Sequence, residues 1–264
     1  MADRNVELEA HVHGKHWAAI YEGYFSDRNI SADYVAAVMR AARAGKPASI
    51  VDLGGGTGFI LQELVAAGIA EETRLINLDE SGPQLAACAH PRINTREGSI
   101  QSLRREDIAK DGESIMLICR SVLHYGGIGL QRPWLGHLRA LLKPGEWFVH
   151  QSGCSGDVEA ALALDVLFEM AGVEKWVPHR DALVQLLQNA RFEITEDFPV
   201  PMLAMPSSEF AGRYNVRPEN MARIQTDLAR TCRDRPDLYR ETPGGFIFSF
   251  PYRVFMCRAK GSEA

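Results

Sequence analysis

Short apolar segments alternate with longer amphipathic segments over the first 152 residues of the chain. Five short runs have strand-like composition: ASIVDL, TRLINLD, INTREGS, SIMLICR and EWFVHQS. Between them, segments such as FILQELVAAG and LQRPWLGHLRALL place apolar residues at helical spacing. Short apolar runs are typical of buried strands, and strands that alternate with helices indicate parallel βαβ units. The pattern predicts an α/β protein with a doubly wound, mostly parallel sheet.

Segments on either side of this region depart from the simple alternation. The first 45 residues have helical character, with Ser31 as the predicted N-cap and Gly45 as the predicted stop of the second helix. After residue 152, the strand-like segment RFEITEDF is followed by PVPMLAMPSSEF, which its prolines predict to be a loop. The chain closes on GGFIFSFPYRVFMCRAK, predicted to be a long aromatic strand or hairpin arm.

No linker divides the sequence, so residues 1–264 are predicted to form a single domain. The predicted segments are N-terminal helices in 1–45, a ligand-binding core in 46–152, helical cap segments in 153–180 and 200–243, and the rest of the sheet in 181–199 and 244–260. We expect the cap to lie over the edge of the sheet where the strands end, because ligands of open parallel sheets bind there.

Composition narrows the classes of function. The 264 residues are 46% hydrophobic and 24% charged, which is typical of a globular protein and excludes a disordered chain. The formal net charge of −5 argues against a nucleic-acid partner. No apolar run has the length of a membrane helix, so no membrane association is predicted. The first residues have no apolar signal core and the five cysteines are scattered, so we expect a cytoplasmic protein with reduced thiols.

A glycine-rich turn follows the first predicted strand. Asp52 and Leu53 end this strand, and Gly54, Gly56 and Gly58 follow at a spacing of two. A dinucleotide fingerprint would need its third glycine at the position of Phe59, and no lysine follows to make a phosphate-binding P-loop. A carboxylate beside the turn repels a pyrophosphate and attracts an ammonium or sulfonium.

The second predicted strand ends on another acidic residue. Asp79 lies 21 positions after Gly58, where a carboxylate can accept hydrogen bonds from both hydroxyls of a ribose. Together with the carboxylate beside the glycine turn, this position predicts an adenosine ligand whose tail is cationic rather than phosphorylated.

In these motifs the sequence resembles the class I S-adenosylmethionine-dependent methyltransferases. The resemblance rests on four motifs in order: Val51–Gly58, Leu78–Ser81, Leu117–His124 and Leu142–Gly145. It implies a Rossmann-like sheet of seven strands with the last one inserted antiparallel. It also implies S-adenosylmethionine as the cofactor and methyl transfer to a small-molecule acceptor, with a homodimer left open.

The resemblance assigns cofactor-binding roles to residues that match the family's motifs. Asp52, Gly54, Gly56 and Gly58 would line the methionine part, and Asp79, with Glu80 beside it, would bind the ribose. Ser99 and Ile100 would contact adenine, although Ser99 stands where the family usually has an acid. Arg120 and Ser121 would contact the amino-acid part and the transferred group, and Arg120 could equally bind an anion of the substrate.

Aromatic and histidine residues supply further candidates. Tyr24, like Tyr21, is expected to close over the cofactor, because aromatic rings attract a sulfonium, although core packing is an equal alternative. His124, His150 and His179 are the candidates for a general base. His11, His13 and His16 lack a carboxylate to complete a ligand set, so no metal site is predicted.

Two other functions stay open at the level of the sequence. The same fold can transfer, eliminate or cyclise the aminocarboxypropyl chain of S-adenosylmethionine and release methylthioadenosine. Alternatively, the chain is a non-catalytic cofactor-binding subunit, a hypothesis that only the replacement at Ser99 favours.

Overall fold

The computed structural model describes residues 23–261, which form eight α-helices and one mixed β-sheet. The helices are α1 (Arg28–Gly45), α2 (Phe59–Ala66), α3 (Gly82–Ala86), α4 (Gly127–Leu141), α5 (Val158–Ala171), α6 (Arg180–Asn189), α7 (Ser207–Tyr214) and α8 (Pro218–Thr231). The strands are β1 (Ser49–Leu53), β2 (Arg74–Asp79), β3 (Ile93–Glu97), β4 (Ile115–Arg120), β5 (Trp147–Gly153), β6 (Phe192–Pro206), β7 (Tyr239–Thr242) and β8 (Gly245–Ala259). His11, His13, His16 and Tyr21 lie outside the described residues.

The sheet has the order β3-β2-β1-β4-β5-β8-β6, and β7 pairs with β8 off this path. The first five strands are parallel, and β8 runs antiparallel between β5 and β6. The predicted doubly wound, mostly parallel sheet and its antiparallel last strand are confirmed. The described residues contain eight strands rather than seven, because the segment before β8 folds back on it as the short hairpin strand β7.

Helices cover both faces of the sheet. Alternate residues of β4 enter two different apolar clusters: Met116 and Ile118 pack in one, Leu117 and Cys119 in the other. The first cluster includes residues of α1, α2 and α5, and the second includes residues of α4 and α6. A strand buried on both faces explains why its sequence is continuously apolar rather than alternating.

The first described helix is fixed to the sheet by a buried tyrosine. Asp27 is the N-cap of α1 and accepts a hydrogen bond from the backbone N–H of Asn29 at 2.7 Å. The prediction of Ser31 as N-cap is therefore wrong, because Ser31 lies inside the helix; the predicted end at Gly45 is confirmed. The hydroxyl of Tyr34 lies 2.9 Å from the carbonyl oxygen of Cys119 and 3.2 Å from that of Val149, on β4 and β5.

The predicted loop over residues 199–210 is mostly strand. β6 continues through Pro199 and Pro201 to Pro206 and pairs with β8, with register shifts at 194–196 and 200–203. Proline is tolerated there because β6 lies at the edge of the sheet, where one side of the strand needs no hydrogen-bonded partner.

The predicted cap segment 200–243 thus belongs to the sheet at both ends. Its first residues extend β6, its last form β7, and α7 and α8 lie between them. Of the two predicted cap segments, α5 from the first packs against α8 from the second. None of the helices in residues 23–261 combines the length and apolar character that spanning a bilayer requires.

Candidate active site

A cavity of about 920 Å³ opens where the parallel strands end. It lies where the strand order reverses, between β1 and β4: β2 and β3 lie on one side of β1, and the chain returns to the other side for β4. This is the usual ligand position in such sheets. Nine of the residues predicted to bind cofactor line it: Asp52, Gly54, Gly56, Asp79, Glu80, Ser99, Ile100, Arg120 and Ser121. Sequence motifs far apart in the chain are therefore brought into one site.

The glycine turn brings backbone close to the second strand. The N–H groups of Gly54 and Gly55 both donate to the carbonyl oxygen of Leu78, at 2.7 and 3.2 Å. Gly56 has φ of +56°, and a Cβ there would lie 2.4 Å from Oε1 of Gln84, so only glycine fits without strain. Gly58 does not line the cavity; it is the N-cap residue of α2 and positions that helix behind the turn.

Asp52 is a buried carboxylate at this turn. Its exposed fraction is 1%, and neither carboxylate oxygen has a hydrogen-bond partner among the described residues. The pKa of Asp52 is raised to about 7, first by burial and secondly by the nearby Asp79, while Arg120 opposes the shift. The carboxylate is therefore in a position where a cation would relieve an unfavourable burial.

Asp79 is held in one orientation at the end of β2. One oxygen accepts from the N–H of Gly56 at 2.8 Å, and the other accepts from the N–H of Ser81 at 2.8 Å. Each carboxylate oxygen has further lone pairs, so both can still accept hydrogen bonds from a ligand in the cavity. Glu80 follows it on the cavity wall.

Ser99 and Ile100 form the next part of the wall, after β3. The Ser99 hydroxyl accepts from the N–H of Gln101 at 3.3 Å and so caps the short 3₁₀ turn Ile100–Ser102. Gln101 also lines the cavity. Ile100 packs in the same apolar cluster as Trp134 of α4, another wall residue.

Arg120 ends β4 as a buried cation with an exposed fraction of 9%. Its guanidinium donates to Oε1 of Gln151 at 3.2 Å and to the carbonyl oxygens of Phe25 at 2.9 Å and Tyr24 at 3.3 Å. Burial lowers the pKa of Arg120, while the nearby Tyr24 is the largest of the opposing influences. These contacts hold the start of the described chain against the half of the cavity that the strand ends form, which we call the near half.

Ser121 has an unusual backbone conformation next to Arg120. Its φ is +63°, and its N–H donates to the carbonyl oxygen of Gln151 at 2.8 Å. Its hydroxyl is buried and has no hydrogen-bond partner among the described residues. A non-glycine residue in this region stores strain, and such strain clusters at functional sites.

Tyr24 lies behind the cavity wall rather than on it, so the structure corrects its predicted place. Its hydroxyl donates to the carbonyl oxygen of Pro201 at 2.6 Å, and its ring stacks on Tyr252 with centroids 5.7 Å apart. The next two residues, Phe25 and Ser26, line the cavity instead. The core-packing alternative therefore describes Tyr24 better than contact with the cofactor.

The three histidine candidates all lie off the cavity wall. His150 is fully buried between the rings of Phe148 and Phe255, and burial lowers its pKa to about 3, so it stays neutral near pH 7. His124 is 4% exposed and packs behind its neighbour Tyr125, with ring centroids 4.5 Å apart. His179 is the N-cap residue of α6. These positions give none of them direct contact with an occupant of the cavity.

The far half of the cavity is formed by residues that the motifs do not reveal. Its wall includes Tyr125, Trp134, Asp165, Lys175 and Trp176. The Lys175 ammonium lies 4.0 Å from the ring centroid of Tyr125. Burial, and secondly Glu169, raises the pKa of Asp165, which makes its carboxylate a better proton acceptor.

Packing between two segments builds this wall. The N–H of Trp176 donates to the carbonyl oxygen of His124 at 3.3 Å, and Nε2 of Gln131 donates to the carbonyl oxygen of Trp176 at 2.9 Å. The aromatic residues of the later segment could be noticed in the sequence, but nothing local showed which of them would face a ligand.

Comparison with solved structures defines the fold. The chain is similar to the BH2331 protein from Bacillus halodurans, with a TM-score of 0.67, 13% identity, and coverage of 87% of this chain and 100% of that one. It is also similar to the 1,6-didemethyltoxoflavin-N1-methyltransferase of Burkholderia thailandensis, solved with S-adenosylhomocysteine, with a TM-score of 0.58, 15% identity, and coverage of 99% and 91%.

A third similar structure is the geranyl diphosphate C-methyltransferase of Streptomyces coelicolor, also solved with S-adenosylhomocysteine. It has a TM-score of 0.53, 14% identity, and coverage of 86% of this chain and 78% of that one. No family model and no curated protein matches the sequence. The chain has the fold of the class I S-adenosylmethionine-dependent methyltransferases, as the sequence motifs predict.

Proposed function

We propose that the protein binds S-adenosylmethionine and transfers its methyl group to a small-molecule acceptor. The observation that carries the proposal is the buried Asp52 carboxylate, which has no partner among the described residues and lies at the glycine turn of the cavity. An ammonium or sulfonium would neutralise it, whereas a phosphate would add a second negative charge.

The remaining residues of the near half fit the other parts of that cofactor. Asp79 ends the neighbouring strand with its carboxylate fixed by Gly56 and Ser81, which suits a ribose diol. Ser99 and Ile100 would lie against adenine, with Glu80 next to the ribose. The similar methyltransferases solved with S-adenosylhomocysteine support the choice of ligand.

When bound, S-adenosylmethionine supplies a methyl group that is already activated by its sulfonium. The work left to the chain is to hold the acceptor atom in line at about 3–3.5 Å from the methyl carbon. The aromatic wall of Tyr125, Trp134 and Trp176 would position the acceptor and exclude water. None of the three histidines is needed for this step.

The chemistry of the far wall supports a small acceptor. Its aromatic residues suit an apolar or planar molecule, and the net charge of −5 argues against a nucleic acid. A cytoplasmic location is part of the proposal and is supported by the five cysteines, all of which are free and buried.

Calorimetry with S-adenosylhomocysteine tests the cofactor. We expect wild-type protein to bind it, and Asp79→Ala to weaken binding by roughly 10–100-fold, because hydrogen bonds to a charged group contribute about 1.5–3 kcal/mol each. Glu196→Gln is the matched control, since this half-exposed carboxylate pairs with Arg40 away from the cavity. Absence of binding to the wild type would refute the proposal.

Product analysis tests the reaction. Incubation with S-adenosylmethionine and a panel of small acceptors should yield S-adenosylhomocysteine and a product heavier by one methyl group. Methylthioadenosine as the only nucleoside product would instead indicate transfer or elimination of the aminocarboxypropyl chain. Cofactor binding without turnover of any acceptor would favour the non-catalytic alternative.

A further inference from the structure

One carboxylate on the wall of the far half has no partner in the described part of the chain. Asp165 lies on α5 and is half-buried, and it forms no hydrogen bond or ion pair with any residue of 23–261. Burial, and secondly Glu169 one turn further along the helix, raises its pKa and makes the carboxylate a better proton acceptor. A carboxylate of this kind on a cavity wall is a candidate for contact with a ligand.

Asp165 also lines a second, smaller cavity. This cavity of about 420 Å³ lies between the end of α5 and the segment that follows it, and Glu169, Glu174 and Lys175 lie on its wall. Asp165, Glu174 and Lys175 line both cavities, so the two cavities meet at these side chains. A proton that Asp165 accepts in the large cavity can therefore leave through the small one.

The charge that a ligand meets in the far half is negative. Among the described residues, its wall carries the acids Asp165 and Glu174 and one base, Lys175. The Lys175 ammonium is already surrounded by protein: it donates to the hydroxyl of Tyr214 and lies 4.0 Å and 4.8 Å from the ring centroids of Tyr125 and Tyr214. An anionic acceptor would be repelled by the Asp165 carboxylate, whereas a cationic acceptor would pair with it.

Two tryptophan rings of the same wall carry no cation of the protein. Trp134 on α4 and Trp176 after α5 line the far half, and within residues 23–261 no lysine or arginine makes a cation–π contact with either ring. Tyr125, by contrast, already has the Lys175 ammonium over its ring. Indole is the aromatic surface that attracts an ammonium most strongly. Open indole rings and an unpaired carboxylate on one wall fit an ammonium group that is attached to an apolar body.

A buried hydroxyl lies at the junction of the two halves. Ser121 follows β4, is 4% exposed and has no hydrogen-bond partner among the described residues. The 3₁₀ turn Leu123–Gly126 comes next and carries Tyr125 onto the far wall. Since a hydroxyl oxygen can accept a hydrogen bond, an N–H donor in the cavity would have two acceptors, Ser121 and Asp165.

We propose that the acceptor is an amine attached to an aromatic or apolar group, and that Asp165 binds its ammonium and accepts the proton that must leave before methyl transfer. This inference rests on the proposed function and names the class of acceptor that the proposed function leaves open. It also gives the chain a proton acceptor on the cavity wall, which none of the three histidines provides.

The step balances in atoms and charge. An N–H bond of the ammonium breaks, its proton passes to the Asp165 carboxylate, and the electron pair stays on nitrogen as the lone pair that attacks. The nitrogen then bonds to the methyl carbon while the bond from that carbon to sulfur breaks, and its electron pair stays on the sulfur of S-adenosylhomocysteine. The product is a methylammonium, and the proton on Asp165 passes to solvent through the small cavity.

Calorimetry on the full-length protein saturated with S-adenosylhomocysteine tests the class of acceptor. The probes are tryptamine, tryptophol and indole-3-propionate, which share one ring and end in an ammonium, a hydroxyl and a carboxylate. Tryptamine should bind about 10–100-fold more tightly than either of the others, the range that corresponds to a charged hydrogen-bonded contact. A second set with a smaller ring, 2-phenylethylamine, 2-phenylethanol and 3-phenylpropionate, should give the same order.

Variants then assign the preference to one carboxylate. Asp165→Asn should weaken tryptamine but not tryptophol, so that the two affinities come within about threefold of each other. Asp165→Glu keeps the charge and should restore part of the ratio. Glu169→Gln is the matched control, because it removes the same charge one turn along α5 from a side chain that does not line the large cavity. It should change the ratio by less than about threefold.

The rate of S-adenosylhomocysteine formation separates proton transfer from binding. With the amine of a panel that turns over fastest, at saturation, Asp165→Asn should lower kcat by about 100-fold. The wild-type kcat should fall at low pH as Asp165 becomes protonated, whereas kcat of the variant should rise with pH throughout. The charged groups around Asp165 are Glu169, Glu174 and Lys175. Because Glu169 raises the pKa of Asp165, Glu169→Gln should move the wild-type fall to lower pH.

The outcomes separate the inference from the proposed function. If the amine of each set binds no better than its alcohol or acid, or if alcohols or acids are methylated and no amine is, the inference is overturned and the proposed function stands. An unchanged ratio in a folded Asp165→Asn protein, checked by circular dichroism and by its affinity for S-adenosylhomocysteine, would overturn the role of Asp165. If that variant does not fold, the intermediate ratio expected of Asp165→Glu decides. Failure of S-adenosylhomocysteine to bind the wild type would refute the proposed function itself.

Discussion

At the scale of single residues, burial rather than residue type gives Asp52 its properties. The same residue type at Asp79 is fixed by two backbone N–H groups, whereas Asp52 has neither a hydrogen bond among the described residues nor solvent. The sequence could predict that both acids face the ligand, because each ends a strand before a turn. It could not predict that burial raises the pKa of Asp52, because desolvation depends on everything packed around the group.

Binding of S-adenosylhomocysteine should therefore depend on pH through Asp52. Its pKa of about 7 means that the carboxylate becomes neutral as the pH falls through 7, and the ligand ammonium then loses its partner. We expect affinity to fall by up to about tenfold per pH unit between pH 7 and 5.5, measured by calorimetry. Asp52→Asn should bind more weakly at pH 7.5 and show no such dependence. A flat profile in the wild type would contradict the assignment.

The same shift has the opposite effect on the stability of the unliganded protein. Because the pKa of Asp52 is raised from 3.8 to about 7, the folded protein holds this proton more tightly than the unfolded chain does. The resulting contribution to the free energy of unfolding is fully present below pH 4 and is lost as the pH rises to 7. The loss is up to about 4 kcal/mol, at about 1.36 kcal/mol per pKa unit. Asp52→Asn should therefore melt at a higher temperature than the wild type at pH 8 without ligand.

At the scale of elements, the predicted parts of the sheet are those whose pattern is local. Strands β1, β4 and β5 are buried on both faces, so their apolar runs identify them. The first part of β6 is predicted as a strand, but its continuation from Pro199 is predicted to be a loop, because prolines usually end a strand. Pro199 and Pro201 are tolerated only because β6 lies at the edge of the sheet, beside β8. The sequence of the segment does not reveal its position in the sheet order.

A buried carboxylate connects segments at the ends of the strands that lie opposite the cavity. Glu146 precedes β5 and accepts two hydrogen bonds from Arg105 at 2.7 Å, one from the N–H of Ile115 at 3.0 Å and one from the N–H of Lys143 at 2.7 Å. It thus joins the start of β4, the turn before β5 and the 3₁₀ turn Arg105–Asp107, and none of these residues lines the cavity.

Removing this carboxylate should destabilise the protein without altering the site. We expect Glu146→Ala to lower the free energy of unfolding by about 3–5 kcal/mol, because it leaves the Arg105 charge without its carboxylate and two backbone N–H groups without partners. Urea denaturation measures the change. The folded fraction should bind S-adenosylhomocysteine with wild-type affinity, and the double variant with Arg105→Ala should lose less than the sum of the single variants. A loss below about 1 kcal/mol would show that the cluster contributes little.

At the scale of the whole molecule, the cavity draws its wall from segments between residues 25 and 176. The near half comes from strand ends that the parallel sheet brings to one edge. The far half depends on α4, α5 and the segment before α6 meeting over that edge, with Trp176 bonded to the carbonyl group of His124. A ligand that fills the near half should therefore stabilise the entire sheet, because it connects three strands and the start of the chain.

Thermal denaturation should reveal this stabilisation. A ligand at 100 times its dissociation constant adds about 2.7 kcal/mol to the free energy of unfolding. For a chain of this size we expect S-adenosylhomocysteine to raise the melting temperature by roughly 5–10 °C. Methylthioadenosine at the same concentration should give a smaller shift, since it lacks the amino-acid end. A shift in Asp79→Ala equal to that of the wild type would indicate that the ligand binds elsewhere.

The sequence by itself determined the parallel core, the glycine turn and the acids that end β1 and β2. These features are local: strand periodicity, glycine conformations and the position of a side chain at the end of a strand follow from neighbouring residues. Only the tertiary structure decided that Tyr24 and the histidines lie off the cavity wall, that β6 continues through its prolines, and that Arg120 and Asp52 are buried together. Burial, sheet position and charge pairing depend on contacts between distant segments, and those exist only after the chain has folded.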